Sequence, residues 1–93
     1  MRITAELSLY PLGTEAAIPA IVAFIKDVAA DARVEVVVNQ LSTQLRGELA
    51  DVFDVVGKAL GRSFAGGDKQ VLVAKFLNVD LPIAEAPRLA ALD

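Results

Sequence analysis

Within five residues, Asn39-Gln40-Leu41-Ser42-Thr43, the chain places two side-chain amides and two hydroxyls. Amides and hydroxyls both donate and accept hydrogen bonds, so this set suits recognition of a polar small molecule rather than electron transfer or metal ligation. The same residue types are ordinary turn formers. Plain turn chemistry is therefore a second reading of the stretch on composition and position alone.

Other chemistry finds little support. The chain has neither cysteine nor histidine. Disulfides, thiolate or imidazole zinc sites and Cys–His nucleophiles are excluded with them. Glu6 and Glu48 could form a carboxylate pair, but Arg46 and Lys75 lie near them, a setting suited to ion pairing rather than acid–base work. Gly66-Gly67-Asp68 does not precede a helix and so lacks the context of a phosphate loop. Glu48, Asp51 and Asp54 match no calcium-loop spacing and read as helix-start acids. The expectation is a protein that is not an enzyme, with no catalytic residue, no metal and no cofactor.

Twelve acids against nine bases give a net charge of −3, and 55% of the residues are apolar. That balance does not suit a phosphate backbone, which needs a surplus of Lys and Arg, so no nucleic-acid partner is expected. An acidic surface mildly favours cationic small ligands over anionic ones. Neither a signal-peptide pattern nor an apolar run of membrane-spanning length is present, so the expectation is no membrane insertion and a cytoplasmic location. Residues 1–93 suffice for a single domain with one core.

The elements that must position the polar stretch follow from periodicity. Arg2 to Tyr10 alternates, with Ile3, Ala5, Leu7 and Leu9 on one face, and predicts a strand ended by Pro11 and Gly13. Thr14 is placed to cap a helix running to about Asp31, with Pro19 confined to its first turn. Val34 to Asn39 and Thr43 to Glu48 predict a hairpin; a two-residue Leu41-Ser42 loop would pair Gln40 with Thr43, with a longer loop as the alternative. Ala50 to Arg62 predicts a second helix packing through Val52, Phe53, Val56, Ala59 and Leu60. Gln70 to Asn78 predicts a fourth strand, with Leu72, Ala74 and Phe76 toward the helices. Pro87 is placed in the first turn of a short C-terminal helix ending near Leu92. The intervening tail is free to cap a sheet edge or dock on a partner.

The order β-α-β-β-α-β predicts an α+β, ferredoxin-like sandwich: a four-stranded antiparallel sheet in order 4-1-3-2 with both helices on one face. That topology brings Tyr10, the 39–43 turn, Thr14 and the Gly61 to Phe64 helix end to one end of the sandwich. Apolar walls with a few convergent polar groups are what a small-molecule site needs. The open sheet face carries Glu6, Ser8, Tyr10, Gln44, Arg46 and Glu48, with Val37, Val73 and Lys75 at its edges. It reads either as a solvated face or as an interface between copies of the chain.

Three short strings carry a family likeness: Leu9-Tyr10-Pro11-Leu12-Gly13, Ser42-Thr43-x-Leu45-x-Gly47-Glu48 and Asp51-Val52-Phe53. Together they resemble the thiamine/hydroxymethylpyrimidine-binding family of the YkoF type, over about Ile3 to Asn78. The resemblance implies a ferredoxin-like module that binds thiamine or its pyrimidine moiety as a ligand and does no chemistry on it. It further implies that a one-domain chain assembles as a homodimer or homotetramer, for which the open sheet face is available. Tyr10, Ser42 and Thr43 match the family positions; Asn39 and Gln40 join them from the geometry of the turn. Phe53 and Phe64 are candidate walls for the ring. No family motif follows Phe76. The alternative is a structural or regulatory homo-oligomerisation module with no small ligand.

Overall fold

The structure, a computed structural model, describes residues 1–67 and 69–92, with the backbone alone for 91 and 92. Asp68, the last residue of the Gly66-Gly67-Asp68 loop, lies outside the described residues. The elements are β1 (Arg2–Pro11), α1 (Ala17–Ala29), β2 (Glu35–Val38), β3 (Thr43–Glu48), α2 (Leu49–Phe64) and β4 (Gln70–Leu77), then a 3-10 turn at Leu89–Leu92. They form an α+β fold whose four-stranded antiparallel sheet has the order β2-β3-β1-β4, which from its other edge reads 4-1-3-2.

Strand alternation builds the core. Ile3, Ala5, Leu7 and Leu9 of β1 and Leu45 of β3 are buried on the helix side, against Phe24 and Val28 of α1 and Val52, Val55, Val56 and Ala59 of α2. Each buried valine, leucine or phenylalanine is worth about 1.5–3 kcal/mol relative to exposure. Gly47 is where β3 comes closest to the chain entering β2. A Cβ there would stand 3.1 Å from the Arg33 carbonyl oxygen and 3.3 Å from Val34 Cγ1, so any larger residue would push these neighbours back by a few tenths of an ångström.

Several sequence expectations need correction. Thr14 does not cap α1; its hydroxyl accepts from the Ala16 N–H at 3.0 Å, a turn within the lead-in, and Ala16 takes the cap position without a side-chain bond. On α2, Val55 belongs to the core and Phe53 does not. The hairpin pairs Val38 with Thr43, leaving a four-residue loop closed by Asn39 N–H to Ser42 C=O at 2.9 Å. Gln40 is therefore a turn residue and does not pair with Thr43. Because the register differs by two, strand parity is kept: Val36 takes the place opposite Leu45 that Val38 would have had, and both stay on the same face. After Pro87 the chain makes only the single 3-10 turn instead of an α-helix with proline in its first turn.

The tail folds back over the sheet face opposite the helices. The Thr4 hydroxyl donates to the Val79 carbonyl at 2.7 Å and accepts from the Leu81 N–H at 2.9 Å. Arg46 donates to the Leu81 carbonyl at 2.7 Å, and Arg2 to Asp80 at 2.9 Å. Thr4 is buried in consequence, and this end of the outer face is covered. Among the described residues no helix is long and apolar enough to cross a membrane.

Candidate functional site

β1 pairs with β3 only from Arg2 to Leu7, but with β4 as far as Pro11. Beyond Leu7 the neighbour on the β3 side is the 39–42 turn, not a strand. The gap opens into a cleft of about 200 Å³, lined by Leu7 to Tyr10, by Ile21, Phe24 and Ile25 of α1, and by Asn39 to Thr43. Every residue singled out in the sequence, Tyr10, Asn39, Gln40, Ser42 and Thr43, borders it. The strand and helix supply mainly apolar surface, and the turn supplies the amides and hydroxyls. β3, the neighbour of β1, begins only at Thr43, opposite Leu7, so the turn before it does not continue the sheet alongside Ser8 to Tyr10.

Alternation nevertheless divides these residues between the two faces of the sheet. Thr43 is buried on the helix side, opposite Leu7. Ser42 lies on the outer side, where its hydroxyl donates to a Glu6 carboxylate oxygen at 3.1 Å; the other Glu6 oxygen is 3.4 Å from Lys75 Nζ. Glu6, Ser8, Tyr10, Leu41, Ser42, Val73 and Lys75 line a shallow outer cleft of about 300 Å³. Ser8 Oγ donates to the Leu41 carbonyl across the gap at 3.5 Å. Tyr10, half exposed, and Ser42 thus stand where the two clefts approach each other. Glu6 was missed as a site residue because the sequence assigns it only to an exposed strand face.

The aromatic wall also differs from expectation. Phe53 stacks on Phe76, with centroids 4.6 Å apart and planes at 17°. That pair lies at the start of α2 and the end of β4, the opposite end of the sandwich. Neither Phe64 nor the rest of the α2 C-terminus borders the cleft, and nor does Thr14; Phe24 is the ring that does. Its place in the α1 stripe, one turn after Ile21, marked it only as core. A wider groove of about 910 Å³ lies between the tail, Leu81 to Arg88, and Val37, Asn39 and Gln44 on the outer face. One whole wall of it is tail, so strand and helix periodicity could not reveal it.

The carboxylates around the α2 N-terminus are engaged in ion pairs. Glu48 accepts from the Met1 ammonium at 3.1 Å. Arg33 reaches Asp31 and Asp54, each at 2.8 Å, and Asp51 at 3.5 Å, while Lys58 meets Asp54 at 3.0 Å. Hydrogen bonds from the Arg33 side chain, then from its backbone N–H, hold the Asp31 carboxyl down at about 2. Arg33 and Lys58 likewise lower Asp54. Among the described residues no group of three or more His, Cys, Asp or Glu is placed to hold a metal ion.

Fold and cleft place the chain among small α+β proteins built on one four-stranded antiparallel sheet. It belongs to the YKOF-related family, whose model matches residues 2–82. Similar solved structures include protein SP2199 from Streptococcus pneumoniae, 24% identical with a TM-score of 0.77, covering 90% of this chain and 92% of that one. A hypothetical protein of Methanocaldococcus jannascii, MJ1052, is 22% identical with a TM-score of 0.74, over 85% and 81% of the two chains. A candidate thiamine biosynthesis/salvage protein of Thermotoga maritima, TM0486, is 14% identical with a TM-score of 0.74, over 99% and 96%. At these identities the likeness is one of fold. No curated protein sequence matches the chain.

Proposed function

We propose that this protein binds thiamine or its hydroxymethylpyrimidine moiety without altering it, in vitamin B1 salvage, transport or sensing. The observation that carries the reading is the cleft at the end of the β1–β3 ladder, bordered by the five residues singled out in the sequence. Family membership and the description of the Thermotoga relative support the same ligand class. An aminopyrimidine needs a narrow, largely apolar slot with a few donors and acceptors. Leu9, Ile21 and Phe24 offer the slot, and Gln40 and Thr43 offer the polar partners. A thiazolium attached to that ring would lie toward Tyr10, whose face attracts a cation, and toward Glu6. Nothing in this arrangement requires a nucleophile or a cofactor, and binding alone accounts for it. Titration calorimetry with thiamine and with hydroxymethylpyrimidine tests the reading. Saturable heat is expected, and its absence at millimolar ligand, together with an unmoved melting temperature, would refute it.

A second feature favours assembly into a homodimer or homotetramer through the outer face of this ferredoxin-like sandwich. Val71, Val73 and Leu77 of β4 lie together on that face, each nearly half exposed. An apolar strip of this kind is better hidden against another copy. Val73→Asp is expected to lower the mass measured by light scattering. An unchanged mass would remove this face as the interface.

A further inference from the structure

The gap between β1 and the 39–42 turn leaves backbone as well as side chains of β1 without a ladder partner. Leu12 N–H bonds to the Lys69 carbonyl, and Leu49 N–H bonds to the Met1 carbonyl. Given the antiparallel registers, even-numbered residues of β1 turn their N–H and C=O toward β4 and odd-numbered ones toward β3. Leu7 therefore meets Thr43, the last pair of that ladder. Leu9 turns the same way, where an unbroken ladder would bring Leu41 opposite it. Among the described residues no hydrogen bond joins Leu9 N–H or C=O to the turn: the Leu41 carbonyl takes the Ser8 hydroxyl instead, and the Asn39 N–H bonds to Ser42 C=O. Leu9 is only 6% exposed. A buried backbone donor and acceptor left unpaired cost about as much as a lost hydrogen bond each, and native structures rarely leave them so.

We infer that the Leu9 N–H and C=O form a donor–acceptor clamp for the edge of a single heteroaromatic ring, one presenting a ring nitrogen beside an exocyclic amine. The ring nitrogen accepts from the Leu9 N–H and the amine donates to the Leu9 carbonyl. A free strand edge can also recruit a peptide strand, but that mode needs a row of main-chain partners. Here the row is one residue long: Thr43 closes it on one side, and Pro11, the next residue facing this way, has no N–H. A row of one residue matches the edge of one ring and not a strand. The cleft on the helix side of the gap has apolar walls on which such a ring would lie.

This inference rests on the proposal that the ligand carries an aminopyrimidine, and one experiment separates the two. Uniformly 15N-labelled protein is titrated with hydroxymethylpyrimidine, and calorimetry is run in parallel with that compound and with its analogue bearing methyl in place of the amine. Supporting results are a Leu9 amide resonance among those that shift most, with binding of the methyl analogue weaker by roughly tenfold, the worth of one hydrogen bond. If hydroxymethylpyrimidine binds but the Leu9 amide stays still, or the analogue binds equally well, the clamp is wrong and the ligand class stands. If hydroxymethylpyrimidine does not bind, both are overturned.

Discussion

The Ser42 hydroxyl donates to the Glu6 carboxylate at 3.1 Å on the outer side of the sheet, whereas the next residue, Thr43, is buried on the helix side. Adjacent residues, the last of the turn and the first of β3, therefore serve different faces. The inner side, with Thr43, Phe24 and Leu9, suits an uncharged ring. The outer side, with Glu6, Ser42 and Tyr10, suits a positive charge. Thiamine has one group of each kind joined by a short bridge.

Thr43→Val tests the inner side. The substitution keeps the β-branched shape and removes the hydroxyl. Pyrimidine affinity measured by calorimetry is expected to fall by roughly tenfold, with the circular dichroism spectrum and oligomeric mass unchanged. Equal affinity would show that Thr43 is only a core residue.

Thr4→Val tests how the tail is held. One hydroxyl both donates to Val79 C=O and accepts from Leu81 N–H. Its loss leaves two backbone groups to find water, at about 1–3 kcal/mol. Hydrogen exchange of the Leu81 amide is expected to accelerate, while exchange in the centre of β1 and β3 changes little. Unaltered exchange at Leu81 would mean that Arg46 and Arg2 hold the tail without Thr4.

Much of the fold was legible because its signals are local. The alternation of β1 and β3 and the apolar periodicity of the helices fix element types and faces, and the right-handed crossover rule then limits the topology. What was not legible depends on contacts across the chain. Phe53 reads as core by spacing, yet it lies at the helix start, where Phe76 offers a stacking partner near solvent. The two-residue hairpin loop failed because neither Leu41 nor Ser42 readily takes the positive φ of a tight turn. A four-residue loop avoids it, and among the described residues none other than glycine has positive φ. The gap at Leu9 follows from where β3 begins: Thr43 pairs with Leu7, and Leu41, which would face Leu9, is in the turn.

The Arg33 cluster predicts acid sensitivity of a defined sign. The Asp31 carboxyl is depressed from 3.8 to about 2 in the folded protein, so its stabilisation is present above 3.8 and is lost as pH falls toward 2. Urea midpoints are expected to decline across that window, and Arg33→Gln to flatten the decline. Parallel profiles for the two proteins would dissociate the cluster from acid stability.

Phe53 and Phe76 should matter to stability and not to the ligand. A double-mutant cycle with leucine at each position is expected to give a coupling of about 0.5–1.5 kcal/mol. Pyrimidine affinity should be unchanged in both single variants. A loss of affinity would return Phe53 to the site.

A crystal structure of the protein soaked with hydroxymethylpyrimidine tests the central claim most directly. Density for one planar ring is expected between Leu9 and Thr43, over Phe24 and beneath the 39–42 turn. A ring seated instead in the groove under the tail, or an empty cleft at saturating ligand, would contradict it.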